Sequence, residues 1–166
     1  MTLFIIVSIC VVILDQLSKL AVIKTIAEDE IVPVIDKVIH FTHIKNEGAA
    51  FGIFSEHRWV FIVVSLIAVV AITYYVVRTR PQGKFYRFGL GFVVGGGIAN
   101  LIDRIAFGKV TDFIDLEFLH FTVFGKNFDF AVFNIADCFV TVGCIMIIIH
   151  VIGKEINERK QRRSLE

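Results

Sequence analysis

Residues Trp59–Val77 read WVFIVVSLIAVVAITYYVV, nineteen positions without one formal charge. A bilayer core about 30 Å thick is crossed by roughly 20 apolar residues in a helix. Hydrocarbon offers no partner for a bare N–H or C=O, so a run of this kind is constrained to close its hydrogen bonds within itself. A soluble bundle would have to cover the same run with other chain. At 166 residues, with 56% of them hydrophobic, 20% charged and a mean hydropathy of +0.76, this sequence has too little polar material to do so.

Three more segments approach the same length. They run from about Thr2 to Ile26, Phe88 to Ile102 and Phe130 to Ile152. The fold expected is therefore an all-α polytopic membrane protein of four transmembrane helices. The first segment lacks a basic n-region and a small-x-small site ahead of Asp15, so it reads as a retained span rather than a cleaved leader. The link RTRPQGKFYR carries Arg78, Arg80, Lys84 and Arg87 with no acid, and the end of the chain carries Lys154, Arg159, Lys160, Arg162 and Arg163. The bias of Lys and Arg toward the cytoplasm puts both on that side, and four spans then put both termini there. Residues from about Ala27 to Arg58 and from about Asp103 to Asp129 become outer loops. The sequence shows no linker, repeat or second domain. It reads as one membrane-embedded domain over 1–166, ending in a solvated, charged cytoplasmic tail at about 154–166. With a net charge of only +1, and basic residues explained by topology, nucleic-acid binding is not expected.

The first outer loop is not simply polar. IVPVIDKVIHF over Ile31–Phe41 is rich in strand-favouring residues, and Pro33 suits an edge or a strand start. A small sheet at the outer membrane surface is expected near Ile31–Phe54, with Gly48 and Gly52 available for tight turns.

Ionisable groups at membrane depth are costly and face a bundle interior or cavity. Asp15 and Lys19, four apart on one helix face, can pair directly. Asn100, Asp103 and Arg104 close the glycine-rich third span. Asp112 follows in VTDFID, and Asp137 follows Asn134 by three, about two turns into the fourth span. If spans three and four run in opposite directions, Asp112 and Asp137 meet at one depth under the outer interface. Two close carboxylates share a proton, because both cannot ionise cheaply. One can then deprotonate water while the other protonates a scissile amide.

Other chemistries fit less well. Cys10, Cys138 and Cys144 have no histidine at a matching level, and Ser18 and Lys19 are adjacent and face apart. No HExxH or zinc-spaced Cys/His set is present, and His40 and His43 fall on opposite faces of a strand, so neither metal nor cofactor is expected. The aspartates taken alone leave peptide hydrolysis, structural roles and ion or proton conduction open. A small transporter or proton channel using Asp15, Asp112 and Asp137 is the main alternative.

Five ordered blocks narrow the choice. They are Asp15-Gln16-Leu17-Ser18-Lys19, Asn46-Glu47-Gly48-Ala49-Ala50-Phe51-Gly52, Gly96-Gly97-Ile98-Ala99-Asn100-Leu101-Ile102-Asp103-Arg104, Val110-Thr111-Asp112-Phe113-Ile114-Asp115 and Phe133-Asn134-Ile135-Ala136-Asp137. In this order they resemble the lipoprotein signal peptidases (signal peptidase II) of bacterial inner membranes. Thr111 stands where Val is commoner, and Cys138 where Ser is usual.

The resemblance implies an aspartyl endopeptidase that cuts the signal peptide of a prolipoprotein immediately before its diacylglyceryl-modified cysteine. It implies Asp112 and Asp137 as catalytic dyad. It implies Asn46, Gly48, Asn100, Asp103, Arg104 and Asn134 as substrate-binding or supporting residues, with Asp15 and Lys19 structural. It further implies a four-helix bundle with a small extracytoplasmic β-cradle and a mobile outer helix. Membrane lipids and globomycin-type cyclic peptides would be partners, the latter in the same cleft, and the active site would lie near the outer face of the inner membrane in a monomer.

Overall fold

The computed structural model describes residues 1–47, 58–123, 126–128 and 130–164. Four helices dominate: α1 (Thr2–Thr25), α2 (Arg58–Thr79), α3 (Lys84–Ala106) and α4 (Ile135–Arg163). Each has a window long and apolar enough to cross a membrane. Their exposure is inverted relative to a soluble protein. Ile67, Val64 and Leu17 are about 60% exposed, whereas Asp15, Lys19 and Asn134 are buried. An apolar outside around a polar inside is the arrangement hydrocarbon selects.

Helix α3 is the central post, packing on α1, α2 and α4. Two consecutive glycines make this possible. A Cβ at Gly95 would lie 2.8 Å from the Ser8 carbonyl oxygen of α1, and one at Gly96 would lie 2.6 Å from the Ala136 carbonyl oxygen of α4. Neither backbone could approach so closely past a side chain. Towards the end where α3 begins, Phe4, Val76, Leu90 and Val94 form an apolar cluster. At the other end, Val22, Ile26 and Phe113 form a second cluster that joins α1 to the sheet.

That sheet has three antiparallel strands in the order β1 (Ile31–Ile35), β2 (Ile39–Asn46), β3 (Val110–Asp115). In β2–β3, Phe41 faces Ile114 and Ile44 faces Asp112, with a one-residue irregularity between the two pairs. A short 3-10 turn (Glu117–Leu119) leads into a hairpin of β4 (Phe121–Val123) and β5 (Lys126–Phe128).

Several boundaries differ from those predicted. Helix α3 starts earlier and ends later than Phe88–Ile102, so Asp103 and Arg104 sit in its last turn instead of opening a loop. Asp103 finds its partners on the neighbouring helix, and pairing there keeps the backbone helical. The sheet takes its third strand from the second outer loop, where Val110, Thr111, Phe113 and Ile114 favour extended backbone. Helix α4 begins at Ile135, which puts Asp137 in its first turn rather than two turns in, and it continues to Arg163. The charged tail is thus helical, supported by Arg159–Glu155 at spacing i, i+4. At 29 residues α4 measures about 43 Å, longer than a bilayer core is thick. Gly48, Gly52 and the stretch to Phe54 expected to complete the cradle lie outside the described residues.

Candidate active site

The polar interior is built from the C-terminal halves of α1 and α3, the start of α4 and the strand β3. Asn134 is its hub. As N-cap of α4 it accepts the Asp137 N–H at 3.0 Å, and its own N–H donates to Asp137 Oδ2 at 3.2 Å, a reciprocal capping box. Its amide nitrogen donates to Asp112 Oδ1 at 2.6 Å and to Asn100 Oδ1 at 3.1 Å. One side chain therefore touches both aspartates. The chain before it is fixed by Phe133, whose carbonyl accepts from the N–H groups of Phe113 and Ile114 and whose N–H returns to the Ile114 carbonyl. That bridge puts residue 134 beside β3.

Asp112 is held from the other side by Asn46, whose Nδ2 donates to Oδ2 at 2.8 Å. Asn46 faces Val110 across β2–β3, and Asp112 lies two residues further along β3. The alternation of a strand brings both side chains to one face. Asp137 Oδ1 accepts from Asn100 Nδ2 at 2.8 Å. Burial pushes the Asp112 carboxyl up to about 6. The negative charge of Asp137 adds to this, while hydrogen bonds from Asn46 and Asn134 and the charge of Lys19 pull the other way.

A buried ion group stands behind the two aspartates. Lys19 Nζ lies 2.7 Å from both Asp15 Oδ2 and Asp103 Oδ2, and it donates to Asn100 Oδ1 at 2.9 Å. Asp15 Oδ1 accepts the Ala136 N–H at 2.8 Å and so caps α4 from α1. Paired and hydrogen-bonded together, these charges meet the condition for burial. Asp103, expected among the substrate-binding or supporting residues, has Lys19 and Gln16 as its partners. Residue spacing alone assigns Gln16 no role, yet its Nε2 donates to Asp103 Oδ1 at 2.8 Å and to the Ala99 carbonyl at 3.3 Å. Its place inside the first motif block is the one signal that points to it.

Arg104 stays near its own helix, with Nη1 donating to the Asn100 carbonyl at 3.4 Å, and its guanidinium lies 5.7 Å from the Phe61 ring centre of α2. It also helps line a cavity of about 290 Å³ with Val64, Ala68, Gly97, Asn100 and Asp137. The walls from α2, α3 and α4 are mostly apolar, and Asp137, Asn100 and Arg104 supply the polar groups. Such a space accepts an apolar chain while presenting an acid to its backbone. Gly48 lies outside the described residues.

The family model described as signal peptidase (SPase) II matches residues 7–153. Similar proteins named lipoprotein signal peptidase include one from Clostridioides difficile, 38% identical over 95% of this chain and 99% of its own length. Another, from Geobacillus thermodenitrificans, is 40% identical over 85% of this chain and 84% of its own. A solved bacterial membrane enzyme superposes with a TM-score of 0.80 at 32% identity, covering 93% of this chain and 90% of that one. A second gives 0.77 at 33%, covering 89% and 91%.

Proposed function

Since this chain belongs to the signal peptidase II family, we propose that Asp112 and Asp137 are the catalytic dyad with which it works. The protein is a multi-pass bacterial membrane endopeptidase that cleaves lipoprotein signal peptides. The observation that carries the dyad is Asn134, which bonds to Asp112 with its side chain and exchanges two hydrogen bonds with Asp137. Acids from a strand and a helix are thereby coupled through a single asparagine beside an apolar cavity.

In the proposed reaction the dyad carries one proton once substrate is bound, held by Asp112, whose carboxyl burial already raises to about 6 and substrate desolvates further. Asp137, in the first turn of α4, acts as the base. It takes a proton from water as the oxygen attacks the scissile carbonyl carbon. The carbonyl oxygen gains that charge and is met by donors at Asn46 or Arg104. Asp112 then gives its proton to the amide nitrogen, the C–N bond breaks, and the proton taken by Asp137 restores the pair. Asn100 fixes the orientation of Asp137. Asp15, Lys19, Asp103 and Gln16 act as positioning residues behind it.

The substrate end of the proposal is a prolipoprotein cut just ahead of its diacylglyceryl-modified cysteine, with the apolar signal segment in the α2–α3–α4 cavity and the acyl chains left in lipid. Both termini are assigned to the cytoplasm from the Lys/Arg bias, which puts the dyad near the outer face. Residues 1–166 act as one monomeric domain, and globomycin-type cyclic peptides compete for the same cavity. The test pairs purified protein with a diacylglyceryl-modified precursor and its unmodified counterpart. Cleavage of the modified form alone, lost in D112N and in D137N, supports the assignment. Wild-type turnover in either variant removes that residue from the chemistry.

A further inference from the structure

A second group of ligating side chains sits at the other end of strand β3. His40 lies near the start of β2 and faces Asp115, the last residue of β3. Glu117 opens the 3-10 turn two residues later. One ligand atom from each of His40, Asp115 and Glu117 lies within 4.8 Å of the others. The closest pair, His40 Nδ1 and Glu117 Oε2, is 3.2 Å apart. Asp115 is only 6% exposed. Its Oδ1 has no hydrogen bond among the described residues, nor does His120 Nε2, although the two atoms lie 3.0 Å apart. The Asp115 carboxylate is thus held by an ionic contact to His120 that lacks hydrogen-bond geometry, which leaves its lone pairs open to a further cation.

This group is separate from the dyad. Asp112 and Asp115 are an odd number apart on β3, so they leave opposite faces, about 10 Å distant along the strand. Asp112 is bonded to Asn46 and Asn134, and Asp115 meets His40 and His120. The cleavage reaction makes no use of His40, Glu117 or His120.

We propose that His40, Asp115 and Glu117 form a zinc-binding site on the outer sheet, with His120 set against Asp115 as its orienting partner. One imidazole nitrogen with two carboxylates is a donor set that suits Zn²⁺ and leaves a fourth position for water. Calcium and magnesium prefer oxygen alone. Zinc bonds of 2.0–2.2 Å in tetrahedral geometry separate neighbouring ligand atoms by roughly 3.3–3.6 Å. The His40–Glu117 distance already approaches that spacing, and the half-exposed Glu117 side chain can swing to close the third edge. His120 beside a ligating carboxylate matches the hydrogen-bonded outer partners that orient metal ligands. Spacing within β2 rules out His40 with His43, but antiparallel pairing brings His40 a different set of donors from β3. The bound ion would fasten the 3-10 turn, and the β4–β5 hairpin that follows it, to the three-stranded sheet.

The experiment uses the untagged full chain in detergent, stripped with a chelator and titrated with ZnCl2 by calorimetry, then with CoCl2 by visible absorption. One zinc per chain, a cobalt spectrum of tetrahedral type and a thermal midpoint that rises with zinc are expected. H40A and E117Q should each weaken binding by about tenfold or more, H120A by about tenfold, and D112N should leave it unchanged. Absence of stoichiometric binding at micromolar zinc overturns the proposal. So does an H40A/E117Q double variant that folds normally and binds zinc as tightly as the parent, since the ion would then sit elsewhere.

Discussion

Replacing Asp112 with asparagine should abolish turnover and leave the protein as stable as the parent or more so. Its carboxyl is raised from 3.8 to about 6 by burial, a shift of about 2 units, or ~3 kcal/mol of folding energy spent on holding the ionised form at neutral pH. The sign follows from the folded value being the higher one. The contribution of Asp112 to stability is greatest below pH 3.8, falls as pH rises through about 6, and is flat above. The D112N change removes that cost. It also turns one acceptor oxygen into an NH2 group facing the amide nitrogen of Asn46 or Asn134, a penalty of about 1–3 kcal/mol. The net change at pH 7 is then between nil and a gain of about 2 kcal/mol, or up to roughly 8 °C in Tm for a chain of this size. Loss of a general acid lowers turnover by about 10²–10⁴. Thermal unfolding in detergent across pH 4–8, beside cleavage of a modified precursor, measures both. Destabilisation beyond about 2 kcal/mol would mean that the carboxylate is a structural acceptor. Turnover within about tenfold of the parent would mean that it is no acid. Either result refutes the reasoning.

The alkaline limb of kcat/KM, which reports the free enzyme, should lie at lower pH than that of kcat, because substrate filling the cavity further desolvates Asp112; coincident limbs in a pH–rate study would contradict this. K19A leaves Asp15 and Asp103 buried without their shared cation and should cost about 3–5 kcal/mol. It should therefore show as low folded yield on size-exclusion chromatography more than as slow turnover per folded molecule. G96A puts a methyl 2.6 Å from the Ala136 carbonyl oxygen, pushing the start of α4 from α3, and should lower kcat and Tm together. An unchanged Tm would show that the helices do not meet there. N134A removes the α4 cap, worth about 1 kcal/mol, leaves buried oxygens of Asp112 and Asn100 without a donor at about 1–3 kcal/mol more, and uncouples the aspartates. Its turnover should fall far more than its stability, as read by kcat beside chemical denaturation.

The four spans are legible because hydrocarbon imposes a length and a polarity that a single sequence displays openly. The dyad aspartates are legible as acids at one depth, and five ordered motif blocks narrow their chemistry. Strand β3 is not. Asp112 interrupts its apolar pattern, so the residue that carries the proposed chemistry also hides that it is a strand. The predicted start of α4 falls too early because Phe130–Phe133 continues the apolar run, while the true start is set by Asn134 capping across to Asp137. The partners of Asp103 are not legible, because spacing tells which helix face a side chain occupies and not which neighbour reaches it. Lys19 and Gln16 of α1 do. His40 and Asp115 are far apart in the chain, and only the antiparallel register of β2 on β3 makes them neighbours.

Helix α2 packs chiefly against α3, whereas α1, α3 and α4 are tied together by Lys19, Asp15, Asn100 and Asn134. The α2 wall of the proposed substrate cavity is therefore a different element from the three helices whose side chains hold the two aspartates. Substitutions on that wall would change which leader sequences fit without touching the hydrogen bonds on the proposed dyad. Breadth of clientele and accuracy of the incision need not trade against each other in such a machine.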